Sequence, residues 1–163
     1  MLITPDKLKL AKYLDRGSRL HALDSLLFDQ NKVVVSNGYY LIQVEDTPPP
    51  YEDFPVIKEM AEGEDYTPDK ILVTANTATK VLKNLPKSKT LPILNNALIG
   101  ADKDGNVSFG LTNLDSSIVV RQRKEEGEYP DADAYIRDNT KDKPKATADV
   151  NVKYLQKTVG ARR

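Results

Sequence analysis

The chain of 163 residues contains no cysteine and no tryptophan, and its single histidine is His21. Without cysteine it has no disulfide framework, no thiolate metal site and no cysteine nucleophile. One histidine is too few for a histidine-based metal site, and we assign His21 to a strand edge. No apolar run approaches the roughly 20 residues of a membrane-spanning helix, and the first residues lack the apolar core of a signal peptide. These absences predict a cytoplasmic protein without a membrane partner.

Motifs of enzymatic or metal chemistry are missing as well. The sequence has no glycine-rich phosphate loop, and the carboxylate pair Glu125/Glu126 lies in a polar stretch with nothing to raise its pKa. The segment "DKDGN", Asp102 to Asn106, has its glycine too early for a calcium loop and no glutamate at the twelfth position. We interpret it as a hairpin turn, and we expect neither an enzyme nor a bound cofactor.

Charge is balanced overall but unevenly distributed. The 24 basic and 24 acidic residues give zero net charge, and 39% apolar content suits a globular domain. Glu45 to Asp65 contains eight acidic residues and one lysine, Lys58. Lys80 to Lys89 contains four lysines and no acidic residue. Solvated helix faces would explain any one such cluster, so the positions of the clusters matter.

The first third of the chain predicts a helix followed by a strand meander. Thr4 is a suitable N-cap, Pro5 favours the first helical position and Gly17 can end the helix. We predict strands at 23–28, 33–35 and 39–44, with an Asn37-Gly38 hairpin. The proline-rich segment "EDTPPPYEDFP" then interrupts all regular structure.

The same pattern then begins again. We predict a strand at 71–74, a helix whose apolar side includes Val81 and Leu85, and strands at 93–99, 107–111 and 117–123. A third start follows at "KATADVNVKYLQKTVGARR", which has the pattern of a strand and then a helix.

Short matches support an internal repeat of about seventy residues. "LIT" at Leu2 returns as "LVT" at Leu72, and five positions between 20 and 27 align without a gap on 91–98. The predicted fold is α+β, with duplicated βαβββ units that form an antiparallel sheet with the helices on one face. We place the first unit at residues 1–60, the second at 70–137, and a third start or strand-helix extension at 145–163. The first two units together would make one domain.

These segments resemble the bacterial DNA sliding clamps, the β subunit of DNA polymerase III. "KTLPILNNALIGADKDGNVSFGLTNLDSSIVV" is similar to the family's "TLPIL-N-LL" strand, glycine-containing turn and "T-L/D-E" strand, with Asp115 in place of the usual glutamate. "GEYPDADAYI", from Gly127, resembles its domain-ending Gly-x-aromatic-Pro-Asp segment, and "YEDFPVI" is a weaker echo. "VSNGYYLIQV" is similar to its Thr-Asp-Gly-His-Arg-Leu strand. The resemblance covers nearly the whole chain and implies a clamp-type fold.

The chain departs from the family in length and register. A full clamp subunit has six such units, whereas this sequence has two and the start of a third. The units fit either the opening of a first clamp domain or a middle domain. A phage-type homologue or a piece of a longer chain would explain both departures.

The resemblance implies a ring that attracts DNA phosphates without reading bases, and therefore a sequence-independent partner, duplex DNA. The candidate DNA-binding residues are the basic residues on the three predicted helices: Lys9, Lys12, Arg16, Lys80, Lys83, Lys87, Lys153 and Lys157. A replicative polymerase or clamp loader would be the protein partner. Self-association through unpaired sheet edges is also expected.

In the middle-domain register, a pocket for a partner peptide would be formed by Leu23, Ser36, Gly38, Tyr39 and Tyr40. The two tyrosines stand where the family tends to have histidine and arginine. The alternative is that this tyrosine pair only packs a hairpin. For the whole chain, the alternative to a DNA clamp is a protein-interaction or structural module that keeps the fold without DNA.

Overall fold

A computed structural model describes residues 1–14, 21–29, 32–37, 40–45, 50, 52–58, 60, 70–125 and 127–140. The chain divides into two compact units, Met1–Pro130 and Asp131–Arg163. The first unit contains two antiparallel four-stranded sheets and two helical segments in its described part, and the fold is therefore α+β. In the second unit the described part is a helix.

The first sheet contains the strand order β4-β3-β2-β5, and all its neighbouring strands are antiparallel. Its strands are β2 (Ser25–Asp29), β3 (Lys32–Ser36), β4 (Leu41–Glu45) and β5 (Lys70–Thr74). Leu27 in β2 pairs with Val34 on one side and with Leu72 on the other. The strand that starts the second half of the sequence is thus an edge of the sheet built from the first half.

The second sheet has the strand order β1-β6-β7-β8. Its strands are β1 (Leu2–Ile3), β6 (Ala97–Ala101), β7 (Val107–Thr112) and β8 (Ser117–Gln122). Leu2 pairs with Leu98, so the first strand of the chain joins the meander of the second half. The predicted "DKDGN" turn connects β6 to β7, where Asp102 accepts hydrogen bonds from the backbone of Asp104 and Asn106 at 2.9 Å each. Gly105 has the positive φ of 82° that this turn requires.

The first helical segment is shorter and tighter than predicted. It begins after Thr4 as α1 (Pro5–Leu8) and continues as a 3-10 helix (Lys9–Tyr13). Leu14 is already extended, with ψ of 144°, so the helix ends before it reaches Gly17. The second helix is α2 (Ala75–Asn84), and the helix of the second unit is α3 (Ala132–Thr140). Asp131 caps α3, since its carboxylate accepts the backbone N–H of Ala134 at 2.9 Å.

One hydrophobic core joins the facing sides of both sheets to the two helical segments of the first unit. The 3-10 helix contacts β2 and β3, and α2 contacts β5, β7 and β8. The largest fully buried side chains of this core are Ile3, Leu8, Leu26, Val33, Val35, Val73, Val81, Ile99, Phe109 and Leu111. The 3-10 helix and α2, the two described helical segments with candidate basic residues, both contribute side chains to this core.

The eight strands form two sheets, which differs from the single sheet expected from the sequence. Two meanders joined edge to edge would have made one sheet, but each meander instead pairs with a strand from the other half of the chain. The predicted strands at 23–28 and 93–99 also begin later than expected. Each is preceded by a 3-10 turn, His21–Asp24 in the first case and Pro92–Asn95 in the second.

In the part of the chain that the structure describes, no helix is long and apolar enough to cross a membrane.

Candidate nucleic-acid interface

Helix α2 presents two of the predicted lysines to solvent because of how the helix is packed. Its buried side contains Ala78 and Val81, which belong to the core. Lys80 and Lys83 are exposed, and neither forms a salt bridge within the described residues. Two positive charges without an acidic neighbour attract a polyanion more strongly than neutralised lysines do.

Thr74 fixes the start of α2. Its hydroxyl accepts the backbone N–H of Thr77 at 3.2 Å, which is an N-cap bond. The backbone N–H of Thr74 donates to the side-chain oxygen of Gln122 at 2.9 Å, and the Gln122 amide donates to the carbonyl of Leu72 at 2.8 Å. Gln122, at the end of β8, therefore ties the edge of β5 and the first turn of α2 to the second sheet. Nothing in the sequence pattern marked this residue.

Lys87 does not lie on the helix, which corrects the prediction that it shares the outer face of α2. The helix ends at Asn84, because Leu85 is extended with φ of −61° and ψ of 131° and Pro86 cannot continue a helix. Lys87 is exposed in the loop that follows, beyond the last turn. Lys87 is four residues from Lys83 in the sequence, but because it lies outside the helix the helical spacing does not place the two lysines on one face.

The first basic segment is the 3-10 helix. A 3-10 helix has three residues per turn, so Lys9 and Lys12 lie one above the other on the same side. Both lysines are exposed. Lys9 forms a salt bridge of 2.8 Å with Asp6, and the Lys12 ammonium lies 4.8 Å from the centre of the Tyr13 ring. Because the Asp6 carboxylate offsets the charge of Lys9, Lys12 is the stronger candidate for a phosphate contact.

The fold brings the two basic segments together although about seventy residues separate them. Helix α2 packs against both α1 and the 3-10 helix. Lys9 and Lys12 therefore lie on a segment adjacent to the helix that carries Lys80 and Lys83. The predicted residues Arg16, Lys153 and Lys157 lie outside the described residues.

Three of the five residues of the predicted peptide pocket lie within the described part of the chain. Leu23 and Ser36 are buried, and Gly38 and Tyr39 lie outside the described residues. Tyr40 is held in the hairpin: its carbonyl accepts the Ser36 hydroxyl at 2.8 Å, and its own hydroxyl donates to the carbonyl of Tyr13. These bonds connect the β3–β4 hairpin to the 3-10 helix, which favours a packing role for Tyr40 over a role in binding a peptide.

Tyr129, the aromatic residue of the Gly-x-aromatic-Pro-Asp segment, is a neighbour of this region that was not among the predicted pocket residues. Burial raises the pKa of Tyr129 to about 12, and a polar contact with the Ser36 backbone partly offsets that effect. The Tyr129 hydroxyl does not reach full hydrogen-bond geometry with any described atom. Its segment also approaches the start of the first sheet, since a Cβ built on Gly127 would lie 3.7 Å from the Ala22 side chain. The tyrosine thus packs beside the predicted pocket residue Ser36.

Among the described residues, no group of three or more histidine or acidic side chains is arranged to hold a metal ion. Comparison of the chain with protein-family models, with curated proteins and with solved structures gives no match.

Proposed function

We propose that this chain is a non-enzymatic processivity factor of the sliding-clamp type, which encircles or contacts duplex DNA through its basic helical segments and tethers a polymerase. The observation that carries the proposal is the packing of α2 against the 3-10 helix, because these two segments carry basic residues from both halves of the sequence. A replicative polymerase or a clamp loader is the proposed protein partner.

The order of elements supports a duplicated, clamp-type domain. The series strand, helix, 3-10 turn and three-strand meander occurs once from β1 to β4 and again from β5 to β8. Each sheet consists of one meander and the first strand of the other series, so the exchange is reciprocal. The two 3-10 turns, His21–Asp24 and Pro92–Asn95, precede β2 and β6 at equivalent places. A duplicated unit accounts for all three features at once.

The exposed positive charges support a partner that is recognised by its negative charge and not by its base sequence. Lys12, Lys80, Lys83 and Lys87 are exposed, and in the described residues no acidic side chain pairs with them. Lysine is a flexible point charge that suits phosphate contacts without fixed geometry. Contacts of this kind position a protein on DNA without specifying bases, which is what sliding requires.

Self-association through sheet edges is part of the proposal. Among the strands that the structure describes, β4 and β8 are edges of their sheets. Strand β8 is six residues long, and Ile118 on it is 44% exposed. Long apolar edge strands pair readily with another strand, because their outer backbone groups lack a partner strand. Pairing of β8 with β4 of a second copy would extend both sheets and is the contact we propose for assembly.

The test measures binding of a short fluorescent duplex by anisotropy at low salt. The variants are wild type, Lys80→Glu/Lys83→Glu, and Lys58→Glu as a control with one exposed lysine of the acidic stretch replaced. We expect wild type and Lys58→Glu to bind and the double variant to lose most of its affinity, since each lost phosphate contact also lowers the salt slope by about 0.9.

Two results would remove DNA as the partner. One is equal binding by all three proteins, and the other is no binding by wild type at any concentration that keeps it folded. Either would favour the alternative, a protein-interaction or structural module that keeps this fold.

A further inference from the structure

A second hydrophobic cluster lies on the outer face of the second sheet, separate from the main core. We call residues 54–60 the strap; its described residues are 54–58 and 60. Phe54 and Ile57 of the strap are 7% and 5% exposed, and they pack with the fully buried Leu2 of β1. Partly buried side chains complete the cluster: Met60 of the strap together with Ile93, Leu98 and Val119.

The outer face of the sheet has space for the strap side chains at Gly110, and we call this part of the sheet the seat. A Cβ built on Gly110 would lie 2.6 Å from the Cδ1 atom of Ile57 and 2.7 Å from the sulfur of Met60. Atoms cannot approach that closely, so the two strap side chains occupy space that exists because β7 has glycine there. The outer face of this sheet is therefore shaped to accept these side chains.

The strap contacts the sheet through one side only. The strap residues that pack on the sheet, the buried Phe54 and Ile57 and the partly buried Met60, recur at a spacing of three, while Val56 between them is 90% exposed. In the described part of the chain, the strap's backbone hydrogen bond runs from the Met60 N–H to the Ile57 carbonyl, within the strap itself. No hydrogen bond between described residues joins the strap to the sheet, in contrast to every strand of that sheet.

We propose that the strap is a separately opening element, and that the outer face of the second sheet is a peptide-binding seat whose occupant is the strap. A segment held by three apolar side chains opens at lower free energy than strands joined by ladders of hydrogen bonds. The main core contains none of the strap's side chains, so it stays intact when the strap lifts. Opening uncovers the apolar groove around Gly110 and leaves it able to bind a peptide with the strap's own pattern. This inference is independent of DNA binding.

Thiol labelling tests the opening, because the chain has no cysteine of its own. Ile57→Cys reports on the strap, and Val81→Cys, fully buried in α2, is the matched control for global unfolding. Under native conditions we expect the thiol in Ile57→Cys to react several-fold faster than the thiol in Val81→Cys. Equal rates for the two thiols would mean that the strap opens only when the whole unit unfolds, and the proposal would be overturned.

A peptide with the sequence of residues 52–60, "EDFPVIKEM", tests the seat. Excess peptide should occupy the uncovered groove and raise the labelling rate of Ile57→Cys without changing that of Val81→Cys. A peptide with Ile57 replaced by alanine should have much less effect, whereas replacement of the exposed Val56 should not matter. No acceleration by the native peptide, or equal acceleration by the Ile57-substituted one, would contradict a peptide-binding seat.

A variant of the whole chain gives the same test without competition from the strap. Phe54→Ala/Ile57→Ala should remain folded, as judged by circular dichroism, and bind the fluorescent peptide directly. Adding Gly110→Val to that variant should abolish binding by filling the seat. Unfolding of Phe54→Ala/Ile57→Ala would show that the strap is an indispensable part of the core, and binding unaffected by Gly110→Val would place the peptide elsewhere.

Discussion

Among the described residues, Tyr129 is the one whose pKa is shifted most clearly by its environment. Burial raises its pKa to about 12 from the ordinary value of 10. An unfolded chain would release this proton near pH 10, whereas the folded chain retains it until about pH 12. Between these values the unfolded state binds fewer protons, so stability falls as pH rises through the window and is fully present below pH 10.

The measurement is urea unfolding of wild type and Tyr129→Phe at a series of pH values from neutral to alkaline. We expect the unfolding free energy of wild type to decrease more steeply between pH 10 and 12 than that of Tyr129→Phe. Tyr135→Phe, which changes a tyrosine that is 58% exposed on α3, is the control and should follow wild type. Identical pH dependence in wild type and Tyr129→Phe would contradict the burial of this hydroxyl.

Among the helices and strands, hydrophobic periodicity was sufficient to predict the presence of α2 and of the strands in the two meanders. The buried positions of α2 follow the predicted spacing, and the structure has a strand at each of the seven segments predicted within the described residues. The strand-helix extension predicted at 145–163 lies outside the described residues. Periodicity did not reveal which face of β2 and β6 points inward. Leu27 and Leu98, which the predicted repeat aligns, pack outside the main core. Both faces of each sheet are partly covered, so apolar residues occupy both faces. The alternation of apolar and polar residues along a strand therefore does not identify the inner face.

The sequence patterns did not predict helix α3, and the residues at its start explain why. Its signal is local, an Asp131 cap after Pro130, but the apolar residues that follow are few. The length of the first helix was overestimated, because its apolar spacing continues beyond the last helical residue. Leu14 continues the apolar spacing of the helix although its backbone is already extended.

The hydrogen bonds of Gln122 lead to a prediction about how β8 is joined to β5. It is 8% exposed, and its amide bonds to the backbone of β5 in both directions. Gln122→Met keeps a similar volume but leaves the Thr74 N–H and the Leu72 carbonyl without this partner. We expect a loss of about 1–3 kcal/mol in the free energy of unfolding.

Chemical denaturation of Gln122→Met measures this loss, and Ser117→Ala at the other end of β8 is the control. The control should change stability by less than about 0.5 kcal/mol, as surface substitutions usually do. A Gln122→Met protein as stable as wild type would show that the bridge between the sheets contributes nothing.

For the chain as a whole, the sequence predicted the α+β fold class but not the division of the strands between two sheets. Leu2 and Leu72, which the predicted repeat aligns, each lie in a strand that precedes a helix, β1 in the first case and β5 in the second. The exchange of β1 and β5 between the two sheets depends on pairing across about forty to one hundred residues, which local patterns do not encode. The exposed lysines of α2 were predicted from spacing, but their placement beside the 3-10 helix follows from the shared core.

The proposed interface has one direct consequence for binding. If a single duplex lies across both helical segments, a lysine from each half contributes a phosphate contact to the same complex. Lys12 and Lys83 are the suitable pair, since both are exposed and they lie on segments that pack together. Neutral substitution avoids the added repulsion that a glutamate would bring.

The measurement that tests the proposal most directly is the salt dependence of duplex DNA affinity for wild type, Lys12→Gln, Lys83→Gln and the double variant. Each single substitution should reduce the slope of log affinity against log salt by about 0.9, and the double variant should reduce it by about 1.8. Lys58→Gln, the control in the acidic stretch, should leave the slope unchanged. If only one of the two lysines alters the slope, or if neither does, the two halves do not form one DNA-binding surface.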